Sequence, residues 1–195
     1  MSNALATFVG AIIGIPVALW INRIQQKILE SNEEKKLHLK ATERKLKIVK
    51  LLGKELKENL KILTEFRELA GKHPSISYPG DLADFSQEFL NRKVFLHRLR
   101  IELWNAFSDG GELQWIQDLD LLQSLTTAYH SIRMTIHTSS RFQSLLESSV
   151  KEGVKADPFE PNDRDFLDTV LIQLKEEIEI AIRHTESALK TIEAK

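Results

Sequence analysis

The chain has 195 residues, with 27 Lys and Arg against 28 Asp and Glu and no cysteine. Without thiols there is no disulfide framework, no thiolate metal site and no cysteine nucleophile. Eight glycines and five prolines, gathered at a few points in a chain dominated by Leu, Ile, Glu and Lys, predict an all-α protein. The net charge of −1 conceals an asymmetry: residues 22–72 carry fourteen basic against eight acidic residues, and residues 73–195 carry thirteen against twenty.

The first element is Ala4 to Ile21, ALATFVGAIIGIPVALWI, which has no charge and one polar side chain, Thr7. As a helix it spans roughly 27 Å, close to the hydrocarbon thickness of a bilayer. Trp20 stands where an indole settles at headgroup level, and Asn22, Arg23 and Lys27 follow in the polar layer. A cleaved signal peptide is disfavoured, because no Lys or Arg precedes Ala4 and the run ends in Leu19-Trp20-Ile21 rather than a small-x-small site. A buried core helix is the other alternative, and an uncharged run of this length favours the membrane over it. The reading is a transmembrane anchor over residues 1–22. Basic residues on its C-terminal side alone orient it with the N-terminus outside and residues 23–195 in the cytoplasm, at the inner membrane.

Within the anchor Ala6, Gly10, Gly14 and Ala18 recur every fourth residue and form one stripe of small side chains with a GxxxG core. In lipid, such a stripe lets backbones approach closely, and it predicts a homo-oligomer. Pro16 removes one backbone donor from the same helix.

From Asn22 to about Ala70 there is no proline and one glycine, Gly53, so a long helix over 23–70 continues from the anchor. Its first part is polar all round. From Leu46 an apolar stripe appears through Val49, Leu52, Leu56, Leu63, Phe66 and Ala70, interrupted by Asn59 and supplemented by Leu60. The stripe fits a helix of the chain's own bundle or a coiled coil between protomers. Lys35, Lys36, Lys40, Arg44, Lys45, Lys47 and Lys50 stand against the single Glu43 in this stretch. That density suits anionic lipid headgroups or nucleic acid, or simply a solvated helix face.

Gly71 to Gly80, with two prolines, breaks the chain, and Asp81 offers an N-cap for a helix to about Phe107 with apolar positions from Leu82 and Phe85 through Leu96, Leu99 and Leu103. Ser108-Asp109-Gly110-Gly111 ends it. Residues 112–150 are helical in pattern, Lys151 to Asn162 form a loop, and residues 163–194 form a last helix with Phe166, Leu167, Val170, Leu171, Leu174, Ile178, Ile182 and Leu189 at helical intervals. The cytoplasmic part is therefore an antiparallel four-helix-bundle-like domain.

No HExxH, glycine-rich phosphate loop or GxSxG occurs, and His130 and His137 lie seven residues apart, about 10 Å along a helix, too far to share a metal unaided. No cofactor, metal site or catalytic constellation is expected. One pattern carries a resemblance: Arg92-Lys-Val-Phe-Leu-His97, an R-x4-H, resembles the signature of the HEPN family, helical-bundle domains that pair across a dimer cleft and cleave RNA. The resemblance implies a ribonuclease alternative, with Arg92 holding phosphate and His97 transferring the proton. The sequence departs from the family in having Lys93 after the arginine, and in a continuous helix a five-residue step turns His97 about 140° from Arg92. The arrangement of one N-terminal anchor and a small helical body also resembles the membrane-anchored accessory proteins found beside type VI-B CRISPR effectors. That resemblance implies homo-oligomers that perturb the inner membrane after phage infection. The leading expectation is a non-enzymatic membrane effector or sensor, and a membrane scaffold for a neighbour-encoded protein partner is a further alternative.

Overall fold

The computed structural model describes residues 2–73, 84–85, 96–152 and 161–194, with side chains described for 19–73, 84–85, 96, 98–145 and 165–194. Those residues are all-α: α1 (Ser2–Lys72), α2 (Glu102–Asp109), α3 (Leu119–Glu152) and α4 (Pro161–Glu193), with short 3-10 turns at Leu96–Arg98 and Glu112–Trp115. Contacts divide the chain into two units, Met1–Leu46 and Lys47–Lys195.

In the first unit the side chains from Leu19 to Lys40 are all exposed, among them Trp20 at 65% and Ile28 at 55%. Among the described residues no helix is long and apolar enough to cross a membrane, and the side chains of the uncharged run as far as Ala18 lie outside the described residues.

The second unit is built on the apolar stripe of α1. Leu52, Leu56, Leu63 and Phe66 are fully buried, and Ile48 and Ala70 nearly so, at the three- and four-residue steps that put them on one face. Leu46, expected to open the stripe, is exposed at 62%; Ile48 takes that place. The stripe is covered by the chain itself, so a coiled coil between protomers through these residues is excluded. Lys57 and Arg67 of α1 reach Glu193 (3.0 Å) and Glu179 (3.9 Å) of α4, so the two helices run antiparallel. At the far end Lys175 Nζ donates to His73 O at 2.7 Å, setting a cation against the C-terminal end of the α1 dipole. α3 likewise runs antiparallel to α4, with Ser131 against His184 and Arg141 over Phe166.

A fourth segment descends along α1. Phe85 sits edge-on between His73 and Phe142, Arg100 meets Asn59, and Leu103 meets Glu55. The sequence predicts one helix here from Asp81 to about Phe107. Among the described residues the chain instead makes a 3-10 turn at Leu96–Arg98, leaves helical hydrogen bonding through Ile101, and resumes as α2. The reason lies 41 residues away. Asn59, 0% exposed, donates from Nδ2 to Arg100 O at 2.7 Å and accepts the Arg100 N–H on Oδ1 at 2.8 Å. The side-chain amide thereby satisfies both backbone groups of Arg100, and the helical ladder is replaced there.

The predicted helix over 112–150 also begins later than expected. Gly111 adopts a left-handed φ of 68°, the 3-10 turn follows, and α3 starts at Leu119, where Asp118 Oδ1 accepts the Leu121 N–H at 3.0 Å as an N-cap.

Removing the Asn59 amide leaves a donor and an acceptor of Arg100 without partners in a half-buried site. Asn59→Ala is expected to destabilise the chain by about 2 kcal/mol or more. Urea unfolding of the full chain in micelles, followed by tryptophan fluorescence, checks this; a loss below about 0.5 kcal/mol would contradict it.

Candidate functional site

Two side-chain clusters of the second unit carry polar chemistry, and both depend on how helices are brought together. The first lies where α1 meets α2. Ile101, at the N-cap position of α2, makes no side-chain cap, so the helix opens with orphan N–H groups. Glu55 of α1 supplies the missing acceptor: its Oε2 takes the Leu103 N–H at 3.2 Å, a cap provided from another helix. Glu55 is 4% exposed, and its Oε1 has no hydrogen-bond partner.

Burial raises the Glu55 pKa above its ordinary 4.5, against the opposing pull of the Leu103 N–H and the Tyr129 hydroxyl, which favour the charged form. Burial, and then the Glu55 charge, push the Tyr129 phenol far upward, so it stays protonated. Its hydroxyl lies 3.4 Å from Leu52 O, and its ring stacks on Trp104 with centroids 4.8 Å apart and planes 17° from parallel. A cavity of about 150 Å³ lies beside the carboxyl, lined by Leu51, Lys54, Glu55, Glu58, Arg100 and Leu103, with Arg100 Nη1 at 3.4 Å from Glu58 Oε2. The cluster pairs one carboxyl with a phenol that does not ionise. It acts as a clamp on α2.

The second cluster is a groove of about 250 Å³ between α3 and α4, lined by Asp120, Gln123, Ser124 and Thr127 of α3 and His184 and Ser187 of α4. Between two of its lining residues, Ser131 Oγ lies 2.9 Å from Thr127 O and 2.6 Å from His184 Nδ1. The hydroxyl has one proton, which it gives to the Thr127 carbonyl. At the second contact it accepts the Nδ1–H of His184, an assignment made from the hydrogen-bond inventory.

Of the residues singled out by sequence, Lys35, Lys36, Lys40, Lys47 and Lys50 are exposed and Lys45 is half-buried. Arg44 is exposed but has interaction partners of its own. Ala6, Gly10, Gly14 and Ala18 lie in α1, and their side chains are outside the described residues. Arg92 is outside them too, while His97 has its backbone in the Leu96–Arg98 turn and its side chain undescribed. His130 and His137 are exposed on α3, and among the described residues no group of three His, Asp or Glu is placed to hold a metal ion.

Sequence reasoning missed Glu55, Tyr129, Ser131 and His184 as partners. Asn59 within an apolar stripe was the one visible sign of the clamp. Neither a protein-family model, nor a curated protein, nor a solved structure matches this chain.

The raised Glu55 pKa fixes the sign of a pH effect. The folded state favours the protonated carboxyl, so its stabilising contribution is complete below pH 4.5 and is lost as pH rises through the folded-state value. Glu55→Gln keeps an acceptor for Leu103 and cannot ionise. Relative to wild type, it is expected to gain stability between pH 4.5 and neutrality. Parallel urea unfolding curves across that range check this, and a wild-type-minus-variant difference independent of pH would contradict it.

Proposed function

We propose that this chain is a single-pass inner-membrane protein, N-terminus outside, that self-associates through its anchor and presents a cytoplasmic antiparallel four-helix bundle. It acts as a non-enzymatic membrane effector or sensor. The observation that carries the reading is the uncharged run Ala4–Ile21, whose last residues Leu19, Trp20 and Ile21 are exposed, as are Ile24, Ile28 and Leu29 just beyond it in α1. Six large apolar side chains within eleven residues, none of them covered by the chain, require lipid or another helix to cover them. The division of α1 supports the second half of the proposal. The stripe from Ile48 to Ala70 is used up inside the chain's own core, so assembly falls to the small-residue stripe of the anchor.

No residue set described here favours a reaction. The resemblance in arrangement to accessory proteins of type VI-B CRISPR systems extends the proposal to perturbation of the membrane during phage infection, with assembled anchors as an ion path.

Two substitutions test the assembly step. Gly10→Leu with Gly14→Leu places bulk where backbones must approach, and is expected to reduce the full chain in detergent from a discrete oligomer to monomer while leaving it in the membrane fraction after alkaline extraction. An oligomer of unchanged mass would overturn self-association through this stripe. Release of the wild-type chain by alkaline extraction would overturn the anchor itself.

A further inference from the structure

The outer face of α3 is unlike the rest of the second unit. From Leu121 to Leu146 there is no acidic residue and no lysine, although residues 73–195 as a whole carry twenty acidic against thirteen basic residues. Apart from the buried Tyr129, the charged and titratable side chains in that stretch are His130, Arg133, His137 and Arg141, all exposed, at steps of three and four residues that set them on one face of the helix. Neither arginine has a carboxylate partner among the described residues. Arg133 Nη2 instead donates to the neutral Asn105 Oδ1 at 2.8 Å, and the Arg141 guanidinium lies over the Phe166 ring at 5.0 Å. Both guanidinium groups are held in place by these neutral partners.

Polyanions fit such a face, and two further observations select among them. Phe166 was expected in the core of α4; it is 43% exposed, and its ring is paired with Arg141. An exposed aromatic ring beside a guanidinium is a stacking platform for a base. At the other end, Gln123 and Thr127 of the same face line the α3–α4 groove. There, the hydroxyl groups of Ser124, Thr127 and Ser187, the Gln123 amide and the Asp120 carboxylate offer hydrogen bonds to a base edge. An acidic peptide would need several apolar anchors, and this face offers two, Met134 and Phe166; a lipid headgroup would use neither the ring nor the groove.

We infer that the α3 face from Gln123 to Arg141, with Phe166 and the His184 groove at its two ends, binds single-stranded nucleic acid. Arg133 and Arg141, with His130 and His137 between and beside them, track phosphates, and Phe166 stacks a base. This inference uses only residues of the Lys47–Lys195 unit and stands apart from the anchor.

Fluorescence anisotropy of a short labelled oligouridylate with the full chain in micelles, over a salt series, tests it. Wild type is expected to bind at low salt and weaken as salt rises. Arg133→Glu with Arg141→Glu is expected to lower affinity at least about tenfold and flatten the salt dependence. Phe166→Ala is expected to weaken binding about fivefold or more with the salt slope unchanged, the signature of lost stacking. Lys35→Gln with Lys36→Gln and Lys40→Gln is expected to leave most of the affinity. The inference is overturned by absence of binding at low salt, by binding that survives the arginine reversal, or by binding lost only in the lysine variant. It is overturned equally if Phe166→Ala has no effect and polyglutamate competes as well as the oligonucleotide, which would make the face a site for acidic protein. Should the reversal lower the melting temperature, Arg133→Gln with Arg141→Gln is read in its place against the same outcomes.

Discussion

A buried amide organises the second unit. Asn59 is placed by its helix in the middle of an apolar stripe, where an unpaired side-chain amide would cost several kcal/mol. It is satisfied by one backbone residue, Arg100, through both its donor and its acceptor. That pairing holds the descending segment in one register against α1. In that register Glu55, one turn earlier on α1, reaches the open N-terminus of α2, and Trp104 lies on the Tyr129 ring. A slip of a single residue would strand all of these groups at once, so the polar pair selects one packing of an otherwise permissive apolar core.

The same constraint divides the uses of α1. Its residues from Ile48 to Ala70 are committed to an intramolecular core with α3 and α4, sealed at one end by Lys175 against the His73 carbonyl. Its residues from Leu19 to Leu46 contribute no buried side chain. One part of the helix is thus saturated by its own chain, while the other bears the exposed side chains of Trp20, Ile24 and Ile28. The cationic face of α3 gives that domain a surface of opposite sign to its own net charge.

What was legible in the sequence follows from where each signal resides. The all-α class is carried by composition, and the core positions Leu52, Leu56, Leu63 and Phe66 by local periodicity, since both are properties of a few turns of chain. The break at Leu96–Ile101 was not legible, because its cause, Asn59, is 41 residues away and the local pattern of Leu96, Leu99 and Leu103 is helical. The late start of α3 depends on the left-handed Gly111, which the Gly110-Gly111 pair signals as a turn but does not place in register. Phe166 has helical core spacing, yet the register of α3 on α4 leaves its ring outside under Arg141. The Ser131–His184 pair joins residues 53 apart and needs that same register, so no spacing rule could have found it. The small stripe Ala6, Gly10, Gly14 and Ala18 was legible as a pattern and remains a proposal about assembly.

The absence of cysteine from the chain makes that proposal directly measurable. Single cysteines placed in turn from Ala6 to Ala18 in the full chain, oxidised in membranes, report which helix face meets another copy. The account predicts disulfide-linked dimers that peak at Ala6→Cys, Gly10→Cys, Gly14→Cys and Ala18→Cys and fall between them. Cross-linking spread evenly around the helix, or none at any position, would contradict self-association through the small-residue face.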